Sequence, residues 1–260
     1  MINETLHIAL LQLDLVWESP TINRVKVDHW LEKLSQNTDV VILPEMFTTG
    51  FTMEVAEYAE TMDGETIRWM KKRCKDHQVA ICGSLIVEEG GQYFNRLVFA
   101  EPSGELRFYD KRHLFTMGSE NQYFQKGSDR CIIQYKGWRI CPLICYDLRF
   151  PVWSRNRDEY DLLVYVANWP QSREDVWNTL LKARAIENQS YVAGVNRVGV
   201  DGQLIPYSGH SQIINAKGFS IANVDMAEEG IISSELSWSE LERFRTNFPV
   251  LEDADQFYLE

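Results

Sequence analysis

Three short stretches place reactive side chains directly behind apolar runs. In WRICPLICYDLRF (Trp138–Phe150) the apolar run ends near Ile144, Cys145 follows, and the polar residues Tyr146, Asp147 and Arg149 come next. A cysteine at a strand-to-turn junction exposes its sulfur and offers the next backbone N–H, that of Tyr146, to an oxyanion; this is the geometry of a nucleophile elbow. The attacking species is the thiolate, and free cysteine titrates near ~8.5, so such a site must favour ionisation or supply a base. A buried structural thiol is the competing reading, and Cys74, Cys82, Cys131 and Cys141 are read that way. In DVVILPEMF (Asp39–Phe47), Glu45 stands just past an apolar run, after Pro44 and before Met46 and Phe47. A carboxylate enclosed by apolar neighbours loses hydration and becomes a usable base near neutral pH. In FYDKRHLF (Phe108–Phe115), Lys111 ends a short β run among aromatic residues. A lysine there can favour the thiolate and stabilise an oxyanion. Taken singly, the glutamate is also an ordinary loop residue and the lysine an ordinary surface partner of Asp110. Together they deliver a base, a cation and a nucleophile from three strand ends, where α/β sites gather.

Other chemistries find less support. G-x-S-x-G, the serine-elbow motif, is absent. His113 is an alternative base for Cys145 in a Cys–His pair; two residues after Lys111, it would share the lysine's face along a strand. The remaining histidines (His7, His29, His77, His210) lack clustered partners and are read as structural. Cys141 and Cys145 have no second ligand pair at zinc-like spacing, so no metal site is expected. Without a Gly-rich phosphate loop, no nucleotide or other cofactor is expected either.

The elements that must position these groups are β-rich runs alternating with helical patterns. The runs are His7–Leu11, Asp39–Leu43, Val79–Val87, Tyr93–Ala100, Leu106–Asp110, Cys131–Tyr135, Arg139–Ile144, Leu162–Val166, Tyr191–Val198, Ser211–Asn215 and Ile231–Leu236. Helices are expected over Ile22–Ser35, with Val25, Val27, Trp30, Leu31 and Leu34 tracing a face, and over Glu65–His77 behind Asp63 and Gly64. A third is expected over Glu174–Gln189, with Val176, Leu180, Ala183 and Glu187 on one side. A fourth covers Ser237–Phe248, where Ser237 and Glu240 fit a capping box and Pro249 stops the helix. The runs VVIL and LLVYVA lack polar alternation and should be buried on both faces. The pattern predicts an α/β layered fold of mixed β-sheets with helices outside, two sheets packing face to face.

The chain has 260 residues, 45% apolar and 25% charged. It is read as one domain spanning 1–260, since no repeat, low-complexity segment or linker interrupts it. Its size should bury roughly three quarters of the unfolded surface. The net charge of −12 argues against nucleic acid, whose binding rests on neutralising phosphates. The acidity is uneven: Ala222–Glu260 holds ten acids and two bases, read as a solvated surface. Five cysteines, an odd count, and no recognisable signal peptide behind MINETLHIAL point away from a disulfide framework and towards a reducing cytoplasm. No apolar run approaches the ~20 residues that span a bilayer.

LPEMF, YDKRHLF and CYDLRFP resemble the three signature blocks of the nitrilase superfamily. The similarity continues through VANWP (Val166–Pro170), ARAIENQSYVAGVNRVG (Ala183–Gly199) and GHSQIINAKG (Gly209–Gly218), nearly the whole chain. The resemblance implies a four-layer αββα sandwich of two mixed sheets, in a homodimer or larger assembly in which the sheets of two subunits extend into one block. It implies roles for Cys145 as nucleophile, Glu45 as base and Lys111 as third member. Glu120, in GSEN, matches a second acid that supports the lysine or orients substrate. Within the superfamily, LPEMF, CYDLRFPVW and VANWP resemble the omega-amidase branch. That branch hydrolyses the side-chain amide of 2-oxo dicarboxylic acid monoamides such as 2-oxoglutaramate and 2-oxosuccinamate. On this reading Arg149 and Arg173 are candidates for the substrate carboxylate, although Arg149 could instead pair with an acid across a subunit interface. Phe47, Met117 and Trp169 are candidate pocket walls, although core packing explains each as well. Helices near Pro151–Arg155 and Glu174–Gln189, with the acidic C-terminal end, are candidate interface elements. Another nitrilase-type amidase, an N-carbamoyl amino acid hydrolase with the same triad, or an inactive binding protein are the competing functions.

Overall fold

A computed structural model describes residues 3–223 and 227–255. Branched and aromatic side chains pack well on a pleated surface, which makes strands of the valine- and isoleucine-rich runs. The first part of the chain forms β1 (Thr5–Gln12), α1 (Pro20–Leu31), β2 (Val40–Ile42), α2 (Val55–Tyr58), α3 (Glu65–His77), β3 (Ala80–Glu89), β4 (Gln92–Ala100), β5 (Leu106–Asp110) and α4 (Glu120–Tyr123). The second part forms β6 (Ile133–Tyr135), β7 (Trp138–Ile144), α5 (Pro151–Ser154), β8 (Leu162–Ala167), α6 (Glu174–Asn188) and β9 (Tyr191–Asn196). A small hairpin of β10 (Val198–Val200) and β11 (Pro206–Ser208) follows, then β12 (Gln212–Ile214), β13 (Ser220–Asn223), β14 (Gly230–Ser237) and α7 (Trp238–Asn247).

Two six-stranded mixed sheets result, in the orders β14-β1-β2-β3-β4-β5 and β13-β12-β9-β8-β7-β6. In each, three strands run parallel: β1, β2 and β3 in the first sheet, β7, β8 and β9 in the second. Side chains alternate across the first sheet. Leu6, Ile8, Leu10, Val40 and Ile42 face the second sheet and join one core with Ile140, Leu162 and Val164. Leu11, Val41, Leu43 and Ile81 face the other way and pack against Val27 and Leu31 of α1 and Ile67, Met70 and Cys74 of α3. Helix α6 covers the second sheet through Trp177, Leu181 and Ala185. These are the two mixed sheets with helices outside that the pattern predicts, and VVI and LLVYVA are buried throughout.

Two helical faces differ from expectation. Helix α1 ends at Leu31, and Val25 is 62% exposed. Asn23 is buried in its place, because its amide donates to the carbonyls of Val16 and Thr48, both at 2.7 Å. Helix α6 buries Trp177, Leu181, Arg184, Ala185 and Asn188 rather than the face of Val176, Leu180, Ala183 and Glu187. The shift of one position follows from partners on other segments. Trp177 donates to the His210 carbonyl at 3.0 Å, and Arg184 donates to the Leu148 carbonyl at 2.6 Å. Leu181 seats over Gly194, where an added Cβ would lie 2.6 Å from it. Hydrophobic periodicity counts a paired arginine as a surface residue, and here it is a buried one. Helix α7 begins as expected, with the Ser237 hydroxyl accepting from the Glu240 N–H at 3.3 Å. Residues 256–260 of the acidic C-terminal end lie outside the described residues.

Candidate active site

Parallel strands of both sheets end on the same side, and the reactive groups sit just past those ends. Beyond β2 the chain stays beside β3: Leu43 N–H donates to the Cys82 carbonyl at 2.7 Å, and Phe47 N–H to that of Ser84 at 3.1 Å. Between them Met46 takes a positive φ of 43°, its N–H on the Ser84 hydroxyl at 2.8 Å. This kink turns Glu45 inward. Beyond β7, Cys145 opens a short 3₁₀ turn (Cys145–Arg149) with φ 44°. A left-handed conformation is strained for a side chain with a Cβ and persists only where surroundings impose it. Asp147 imposes it here, its Oδ2 accepting from the Ile144 N–H at 3.0 Å. The Tyr146 N–H lies in the first turn of this segment, where no carbonyl one turn earlier can take it.

Lys111 follows β5 and is tied to β4 by its N–H on the Asn95 carbonyl at 3.0 Å. Lys111, Glu45 and Glu120 are fully buried. Lys111 Nζ lies 2.7 Å from Glu45 Oε1 and 3.0 Å from each oxygen of Glu120. Asn95 Nδ2 bridges the two acids, at 2.9 Å from Glu45 Oε1 and 3.1 Å from Glu120 Oε1. The Phe115 N–H completes Glu120 at 2.6 Å, and the Asn168 N–H reaches Glu45 Oε2 at 2.9 Å.

Electrostatics follow from this crowding. Burial pushes the Lys111 ammonium down, but the charges of Glu120 and then Glu45 outweigh it and hold the lysine protonated. Burial drives the Cys145 thiol well above its ordinary range. The charge of Glu45 and a hydrogen bond to it push the same way, and Lys111 only partly opposes them. At rest the sulfur is therefore a thiol, 3.9 Å from the Asn168 carbonyl, and its attack requires transfer of the proton. Burial and then Glu45 also raise Glu120, against the opposing pull of Lys111.

Glu45, Lys111 and Cys145 form the floor of a cavity of about 410 Å³. Phe51, Phe115 and Trp169 line it, and Met117, 75% exposed, stands at its rim. Arg149 and Arg173 both face it, over the rings of Trp169 at 5.2 Å and Phe115 at 5.5 Å. Neither has a carboxylate partner among the described residues. The opposite wall is the tip of the β10–β11 hairpin. Asp201 holds that tip by accepting from the Gln203 and Ile205 N–H groups and the Tyr207 hydroxyl.

The structure thus brings together Cys145, Glu45, Lys111, Glu120 and the Tyr146 turn, with Met117, Arg149, Trp169 and Arg173 around the cavity. Phe47 is a correction. It is fully buried, packs on Trp69 and lies against Gly83 rather than in the cavity, because the kink at Met46 sends alternate side chains to opposite sides. His113 is a second one. Its ring pairs with Asp147 at 2.7 Å and stacks on Phe150 at 3.8 Å. The strand ends at Asp110, so Lys111 and His113 do not share a strand face. Asn95, Asn168, Asp147 and the hairpin tip were missed by sequence reasoning. Asn95 alone carried a signal, as a lone amide before the apolar end of YFNRLVFA.

A buried acid–lysine–acid cluster under a cysteine elbow, on two mixed sheets, defines a class, and the sequence agrees: the chain belongs to the carbon-nitrogen hydrolase family, whose profile matches residues 7–246. It is 47% identical over 254 residues to the omega-amidase YafV of Escherichia coli, covering 98% of each chain. To the 2-oxoglutaramate amidase of Bacillus subtilis it is 36% identical over 251 residues, covering 95% of this chain and 96% of that one. Among solved structures, a CN-hydrolase superfamily protein of Xanthomonas campestris, with an arsenic adduct in its active site, superposes with a TM-score of 0.97. It is 42% identical, and the match covers 99% of this chain and 100% of that one.

Proposed function

We propose that this carbon-nitrogen hydrolase is an omega-amidase that converts 2-oxo dicarboxylic acid monoamides to the 2-oxo acid and ammonia. The observation that carries it is the Cys145 thiol, beside Glu45 and Lys111 in a cavity walled by two arginines that have no carboxylate partner among the described residues. A substrate of this class carries an amide at one end and a carboxylate at the other. The thiol meets the first and Arg149 or Arg173 the second. The names of the Escherichia coli and Bacillus subtilis relatives support the same substrate class.

In the mechanism Glu45 takes the thiol proton as the sulfur bonds to the amide carbon. The carbonyl π pair moves to oxygen, the Tyr146 N–H donates to the oxyanion and the Lys111 charge stabilises it; one such donor is worth on the order of 100-fold or more in rate. Collapse expels the amide nitrogen, which takes the proton from Glu45 and leaves as ammonia. A thioester remains. Water then attacks it, giving a proton to Glu45, and the acid departs as that proton returns to the sulfur. Glu120 keeps Lys111 in place throughout.

The chain works as one hydrolase domain in a reducing cytoplasm, as a homodimer or larger assembly. Free thiols at all five cysteines support the compartment, and no helix among the described residues is long and apolar enough to cross a membrane. Exposed Ile186, Phe219 and Phe248, around the end of α6, support the assembly. The test is ammonia release from 2-oxosuccinamate by the wild type and by Cys145→Ala. Release by the wild type alone is expected. Silence from both redirects the search to other amides and N-carbamoyl compounds, and near-wild-type turnover by the variant refutes the mechanism.

A further inference from the structure

We propose that Asn95 is a positioning residue that orients both buried acids and leaves Glu45 Oε2 as the one oxygen able to receive the thiol proton. The inference rests on the mechanism above and deepens it.

The argument is a count of acceptor positions. Each carboxylate oxygen offers about two lone-pair sites. Glu45 Oε1 accepts from Lys111 Nζ at 2.7 Å and from Asn95 Nδ2 at 2.9 Å, which fills it. Glu120 Oε1 accepts from Lys111 and Asn95, at 3.0 and 3.1 Å, and its Oε2 from Lys111 and the Phe115 N–H, at 3.0 and 2.6 Å. Both oxygens of Glu120 are filled. Glu45 Oε2 accepts from the Asn168 N–H at 2.9 Å, and its second site is left for the thiol proton. When the S–H bond of Cys145 breaks and the sulfur bonds to the amide carbon, the proton forms its new O–H bond there.

Asn95 is fully buried on β4 and is suited to this by its side-chain type. A primary amide presents two N–H groups on one nitrogen and adds no charge. Turned the other way, its oxygen would face two carboxylates and be repelled. An aspartate would add a third acid, and a lysine a second cation. The same residue's carbonyl accepts from the Lys111 N–H, so one position on one strand registers the base, the second acid and the lysine. The charged and titratable groups of this cluster are Glu45 beyond β2, Lys111 beyond β5, Glu120 at the start of α4 and Cys145 beyond β7.

Asn95→Asp tests the inference with almost no change in shape. Ionised, the introduced carboxyl donates nothing and repels both acids; protonated, it regains one donor. The variant's kcat relative to wild type should fall roughly 100-fold near pH 8 and recover about tenfold near pH 5.5. Asn95→Leu should be equally impaired and show no recovery. Asn95→Ser, smaller and with one O–H donor, is the fallback if either variant fails to fold, and should lie between wild type and Asn95→Leu. Alkylation of Cys145 by iodoacetamide over the same pH range gives a readout that needs no substrate. A constant Asn95→Asp to wild-type ratio in both assays, or wild-type kcat in Asn95→Leu, overturns the inference. A Cys145→Ala variant that still turns over amide overturns the mechanism beneath it instead.

Discussion

Replacing Lys111 with methionine removes one ammonium from a fully buried site and strands two carboxylates against each other. The lysine's contacts are short, at 2.7 Å to Glu45 and 3.0 Å to both oxygens of Glu120. Breaking a buried ion pair by deleting one partner costs about 3–5 kcal/mol, because the remaining charge stays desolvated and unpaired. For a chain of this size each kcal/mol moves the melting temperature by roughly 2–4 °C. Lys111→Met should therefore melt on the order of 6–20 °C below wild type, followed by circular dichroism at neutral pH. Adding Glu120→Gln removes one stranded charge, so the double variant should regain at least about half of that loss. The pH dependence has a definite sign. The folded-state pKa of Lys111 is raised, so its stabilising contribution is complete below the ordinary lysine value of 10.5 and is lost only as pH rises through the folded value. The wild type should show no step from this group near neutral pH. In Lys111→Met the stranded acids bind protons more readily folded than unfolded, so its deficit should shrink as the pH falls. Melting within about 2 °C of wild type, or a double variant less stable than Lys111→Met alone, would refute this account of the cluster.

Asp147 accepts from His113 N and Nδ1 at 3.0 and 2.7 Å, Ile144 N at 3.0 Å and Tyr109 Oη at 2.8 Å. Asn at this position must turn an N–H towards one of these donors, at a cost of about 1–3 kcal/mol. Steady-state kinetics should show kcat down roughly tenfold with KM little changed, since the elbow and the lysine segment lose their common anchor; an unchanged kcat contradicts this. Phe47→Ala should lower stability by about 3–5 kcal/mol through a core cavity. The ratio of its kcat/KM values for two amides of different length should match wild type, and a changed preference would return Phe47 to the cavity wall.

The sequence by itself determined the layers and the identities of the reactive groups. VVIL and LLVYVA could only be strands covered on both faces, and a thiol, a carboxylate and an amine each followed an apolar run at a strand end. The resemblance in LPEMF, YDKRHLF and CYDLRFP then covered nearly the whole chain. What it did not determine was direction. Whether Phe47 faces the core or the cavity turns on the positive φ of Met46. Whether His113 serves Cys145 or Asp147 turns on where β5 ends, and which face of α6 is buried turns on the partners that Arg184 and Trp177 find on other segments. Asn95 and Asp147 owe their places to contacts with Glu45 and His113, 50 and 34 residues away in sequence. Residue type and periodicity record what a side chain prefers to contact. Only the closed tertiary structure sets which donor each buried acceptor meets, because most buried polar groups find their partners wherever the chain happens to bring one.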